Sequence, residues 1–154
     1  MPRPHHGRAI PLAAGLSLSS LLALSMFAAA VHAGPHQIPE APADIQALEN
    51  PIDWDELDKR SKKRVARMYK SKCKKCHGAD GDGKGSASGE IVIKPTALSA
   101  PGYMDERSDG QLFWITRDGS PDTEMKAYGP GSDTGLSEEE IWKLVSFMRE
   151  NFTQ

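Results

Sequence analysis

All-α is the fold class the sequence predicts from Asp53 onward, on three observations. Ser108 and Ser137 each stand three residues before a Gln or Glu and open apolar runs of helical period. A basic segment ahead of them gathers its apolar residues on one face. The stretches between these segments are rich in glycine and proline and hold no sustained period. About three main helices joined by long loops follow.

The first helix is expected to begin near Asp53 as N-cap, with Asp55 and Glu56 in its first turn. Leu57, Val65, Met68 and Tyr69 fall close to helical spacing, and Lys59, Arg60, Lys62, Lys63, Arg64, Arg67 and Lys70 mostly fill the remaining surface. Ser108 with Gln111 predicts a second helix from Asp109 to about Asp118, stopped at Gly119, with Leu112, Trp114 and Ile115 turned inward. Ser137 with Glu140 predicts the last, from Glu138 to about Glu150. Its Ile141, Leu144, Val145 and Met148 sit at i, i+3, i+4 and i+7, and Trp142 and Phe147 widen that face.

Residues 1–33 have the form of an export signal: Arg3 and Arg8, an apolar run from Ile10 to Val31, then the small-residue site Val31-His32-Ala33. An uncleaved membrane anchor is the alternative, since the run is long enough to span a bilayer. Residues 34–52, with Pro35, Pro39, Pro42 and Pro51 and few large apolar side chains, read as a proline-rich acidic arm or linker. The folded domain is then 53–154.

Charge falls in blocks. Residues 34–58 carry seven acids and no Lys or Arg, residues 59–79 ten bases and no acid, and residues 80–154 fourteen acids and seven bases. Residues 34–154 thus sum to −4, so the chain reads as no polyanion binder overall and no nucleic-acid partner is expected. The basic run Lys59 to Lys75 could steer an acidic protein partner, and the acidic arm, Glu40 to Asp58, is a candidate screen lying across it.

The basic helix leads into Cys73-Lys74-Lys75-Cys76-His77. C-x-x-C-H is the spacing at which two thiols can each bond a haem vinyl group while the next imidazole reaches the iron. A structural zinc site wants four Cys or His ligands, and the chain has two cysteines in all. A thioredoxin-like dithiol wants a βαβ context, and here the motif closes a helix. An oxidising compartment would join the two thiols unless something captures them, which thioether bonds to haem would do.

A buried prosthetic group also accounts for residues 78–107, a long loop that needs a packing partner. That loop matches neither a phosphate-binding loop, lacking the Lys-Ser/Thr ending, nor a calcium loop, lacking the later ligands after Asp80 and Asp82. Candidates for a second iron ligand are Met68, Met104, Met125, Met148 and His36. Met68 and Met148 occupy helix core positions, His36 lies in the arm, and Met104 and Met125 stand in loops, Met125 between two capped helices.

Taken together, these residues resemble the class I cytochromes c of bacterial type, from about Val65 to Arg149. The resemblance is carried by Met68-Tyr69 before the haem motif and Gly78, the Gly81, Gly83 and Gly85 loop, Lys94-Pro95, Ser108 to Trp114, the Met125 loop, and Leu136-Ser137 leading into Ile141 to Val145. It implies one covalent haem c held by Cys73 and Cys76, with His77 and Met125 as the iron ligands and the Pro95 carbonyl accepting the other ring N–H of His77. Two departures stand out: Lys126 follows Met125 where the family has proline, and Val65 stands near the family's small residue at the helix crossing.

The function implied is that of a periplasmic mono-haem electron carrier between redox protein partners, not an enzyme. The alternatives are a small-ligand-binding or peroxidatic haem protein, or an electron-transfer subunit of a larger oxidoreductase.

Overall fold

The computed structural model describes residues 37–133 and 135–154, and among them there are helices and no strands. The export signal and His36 lie outside the described residues. The helices are α1 (Ala43–Gln46), α2 (Lys59–Lys72), α3 (Lys74–His77), α4 (Asp109–Asp118) and α5 (Glu138–Phe152).

Local chemistry sets both ends of α4 and the start of α5 as expected, while α5 runs on to Phe152, past the expected Glu150. Ser137 and Glu140 form a reciprocal capping box at the start of α5. Ser108 accepts from the Gln111 amide at the start of α4, but the Gln111 side chain turns away to the arm, so this box is half made. Within α4, Phe113 is buried and Trp114 only half-buried, because Phe113 stacks on Trp142 of α5 with ring centroids 4.1 Å apart.

α2 starts five residues later than expected. Asp53 spends its side chain on the Asp55 amide (2.8 Å), and the chain then turns so that Trp54 meets Phe147 edge-on. Asp58 is the cap instead, accepting from the amides of Arg60 (2.7 Å) and Ser61 (3.0 Å), and these bonds with the Ser61 hydroxyl hold its carboxyl below the usual range. Asp55 and Glu56 therefore precede α2, and its first turn holds no acid.

α5 packs against both α2 and α4. Its Ile141, Leu144, Val145 and Met148 are all buried, each contributing roughly 1.5–3 kcal/mol by leaving water. Val65 is fully buried in the same core, so the larger residue at the crossing is accommodated.

The described part of the arm packs on the helices that follow it. Ala41 is buried, α1 packs on α4, and Asn50 reaches the Trp142 carbonyl (3.2 Å) and Ser146 hydroxyl (2.9 Å) of α5. The arm thus lies on α4 and α5. Asp55 of the acidic segment makes a long contact of 3.9 Å with Lys62 of α2.

Candidate haem site

α2 ends at Lys72, and Cys73 turns the chain into α3, the single turn that carries Cys76 and His77. The glycine-rich loop then folds back over this turn. Gly83 donates to the His77 carbonyl (2.9 Å), Gly85 to that of Cys76 (3.0 Å) and Ala87 to that of Lys75 (2.9 Å). A Cβ on Gly85 would lie 2.3 Å from the Lys75 carbonyl oxygen, so only glycine permits this approach. Tyr69, packed against Phe147 and Phe152, donates its hydroxyl to the Gly78 carbonyl (2.9 Å) and ties α2 to the end of the motif.

A cleft open to solvent lies against this turn. Cys73, Cys76, His77 and Met125 all line it, and Leu98, Leu112, Ile115 and Leu144 make its apolar wall. Met104 does not line it; that side chain is 1% exposed in the core. Met148 borders the cleft from the α5 core, and Met68 faces the core.

His77 Nδ1 lies 3.0 Å from the Thr96 carbonyl oxygen, which can only accept, so Nδ1 carries the proton and Nε2 is the free donor atom. The acceptor is thus Thr96 rather than Pro95. The Pro95 carbonyl is turned to Gly83, where a Cβ would come within 2.6 Å of it, and the next carbonyl along meets the ring. Burial holds the His77 pKa below its ordinary value, with the Thr96 bond opposing, and so keeps the imidazole neutral as a metal ligand must be.

The two cysteines are free and unpaired with each other. Burial pushes the Cys73 thiol up to about 12, with Lys72 opposing, the reverse of the low pKa an exchanging dithiol needs.

Met125 is followed by Lys126 rather than proline, and its loop is held by hydrogen bonds and close packing. Its carbonyl accepts from Ser120 N (2.9 Å), its amide donates to the Thr123 hydroxyl (3.1 Å), and Gly119, at φ +79°, lies beneath the Met125–Ala127 backbone. Tyr128, also on the cleft wall, anchors the far end by donating its hydroxyl to the Lys72 carbonyl (2.9 Å). Neither Tyr128 nor Thr96 is signalled by sequence spacing; each is found only by what its oxygen faces.

A sequence model of the family described as cytochrome c oxidase, cbb3-type, subunit III matches residues 60–148, more than half of the chain. The chain belongs to this family of c-type cytochrome domains. None of the curated proteins compared with this cytochrome matches it.

Among solved structures, the fold is shared with a chain of the Kuenenia stuttgartiensis reducing HAO-like protein complex Kustc0457/Kustc0458 (TM-score 0.53, 22% identity, 77% of this chain and 53% of that one). This cytochrome therefore spans about half the length of that chain. Two others are similar at lower TM-scores. One is the KustC0563 c-type cytochrome (0.46, 24% identity, 58% of this chain and 98% of that one). The other is cytochrome CL from the marine methylotrophic bacterium Methylophaga aminisulfidivorans MPT (0.47, 19% identity, 76% and 73%).

The family carries haem c with its iron, and the residues fit it. Two uncrosslinked thiols, a neutral imidazole with one nitrogen already committed, and a thioether share the lining of one largely apolar cleft.

Proposed function

We propose that this cytochrome binds one haem through thioethers from Cys73 and Cys76, with His77 and Met125 as iron ligands, and carries single electrons between protein partners. The observation that carries the reading is the convergence of these four side chains on one cleft while Met104 is buried elsewhere. Bound haem supplies a one-electron ferric/ferrous couple. The chain's own contribution is to hold and shield it. Thr96 fixes the tautomer of His77 and raises its basicity, and the hydrogen-bonded Met125 loop presents the thioether.

Absorption spectra test the ligand set: the oxidised protein should show the weak near-infrared sulfur-to-iron band. Carbon monoxide should leave the reduced spectrum unchanged. A shifted spectrum would favour a ligand-binding or peroxidatic haem protein and overturn His/Met ligation.

Docking is assigned to the basic face. Lys59, Arg60, Lys63, Arg64, Arg67, Lys70, Lys74 and Lys75 are exposed on α2 and α3, and Lys72 borders the cleft, so an acidic partner would be steered toward it. Transfer to such a partner should slow as ionic strength rises, and a salt-independent rate would refute this. A second reading, an electron-transfer subunit of a larger oxidoreductase, is favoured by the oxidase named in the family's description. Co-purification in a complex of fixed stoichiometry would establish it.

The working protein is placed in the periplasm, on the N-terminal sequence pattern alone. Sequencing of the mature protein should begin at Gly34; an intact Met1 end would indicate an anchored form.

A further inference from the structure

One side chain holds the arm where it reaches the haem cleft, and a second holds it farther along. Gln111 on α4 is 8% exposed; its Oε1 accepts from the Ala41 amide (2.7 Å) while its Nε2 donates to the Pro39 carbonyl (3.0 Å). Gly110 beside it makes room for the arm, since a Cβ there would lie 1.8 Å from the Ile45 carbonyl oxygen. Farther along, the Ser146 hydroxyl donates to the Ile52 carbonyl (2.9 Å) and accepts from Asn50.

One residue before Pro39 stands Ile38, which lines the cleft together with Ile91 and Ile93. Ile91 and Ile93 belong to a loop closed by Lys94, whose Nζ donates to the carbonyls of Ser88 (3.0 Å), Gly89 (3.2 Å) and Ile91 (2.8 Å). The cleft rim is therefore built from two pinned segments. The arm lies outside the span 60–148 that matches the family.

We propose that Ile38 is a haem-site residue of this chain, sealing against water the rim it shares with Ile91 and Ile93, and that Gln111 is the positioning residue that keeps it there. The inference rests on the haem reading above. Excluding water from the cleft lowers the local dielectric and disfavours the more highly charged ferric form, so the seal raises the reduction potential. Removing the Gln111 amide leaves the Ala41 N–H and the Pro39 carbonyl without their partner, and both regain hydrogen bonds by peeling away into water.

The test uses the full haem-loaded protein with Ile38→Asn, Gln111→Ala and the double variant. Each single variant should lower the midpoint potential, and the double should go no lower than the larger single, because a released arm no longer places residue 38 at the rim. Hydrogen exchange at the Ala41 amide should quicken at least tenfold in Gln111→Ala and stay near wild type in Ile38→Asn. Ile38 stands at the rim rather than in the core, so its variant remains informative if Gln111→Ala folds poorly. Unmoved potential in Ile38→Asn, or additive shifts in the double variant, overturns the proposal while the loaded wild-type protein upholds the haem reading. A colourless wild-type product overturns both.

Discussion

Gly119→Ala tests whether close backbone packing stiffens the Met125 loop, in which Lys126 follows Met125 where the family has proline. Gly119 closes α4 at φ +79° and ψ −174°, a region essentially reserved for glycine, where an L-residue costs about 1–3 kcal/mol. A Cβ there would also sit 2.7 Å from both the Ala127 nitrogen and the Met125 carbonyl oxygen. The loop backbone must move to relieve this, straining the Ser120–Met125 hydrogen bond, which is worth about 1 kcal/mol. Together these cost about 2–4 kcal/mol. Gly131 supplies the control, a second glycine of positive φ (+86°) with no atom within 4 Å of its would-be Cβ, so Gly131→Ala carries a backbone cost without the clash. Any stabilisation from a less flexible unfolded chain is common to both variants and cancels in the difference. Urea unfolding of the haem-loaded proteins at equal m-values measures that difference, expected to be about 1 kcal/mol. The near-infrared sulfur-to-iron band should weaken in Gly119→Ala only. Equal destabilisation of the two variants, with the band intact in both, would refute the reasoning.

Further outcomes follow from the same packing. Met125→Ala should abolish the near-infrared band, whereas Met104→Ala should keep it while losing roughly 2–5 kcal/mol of stability, as expected for a truncated core methionine; loss of the band in Met104→Ala would reverse the ligand assignment. Tyr69→Phe should cost about 1 kcal/mol in chemical denaturation through the lost bond to the Gly78 carbonyl, and no measurable loss would discount that bond. Asp58→Ala should destabilise the protein at neutral pH. Because the folded pKa of Asp58 is depressed, its contribution is complete above the unfolded carboxylate value and fades as pH falls through the folded one, so wild type and variant should converge in acid. Melting curves that stay equally separated at low pH would contradict this.

Ser108, Ser137 and Gly119 mark both ends of α4 and the start of α5 legibly because a cap acts on amides and carbonyls two to four residues away. Asp53 and Asp58 look alike by that rule, and the choice between them is made elsewhere, by Trp54 turning onto Phe147. The glutamine of a capping box is likewise ambiguous. Gln111 has its own helix terminus in reach, yet its side chain is taken by arm backbone 70 residues away in sequence.

The sequence by itself determined the haem motif, the all-α class and the basic run, since each depends on residue type and on spacing within a few turns of chain. Tertiary structure alone decided that Thr96 rather than Pro95 meets His77, that Met125 rather than Met104 borders the cleft, and that the arm closes its rim. These choices rest on which carbonyl or side chain is left facing a given space once distant segments have packed, and no local rule carries that information.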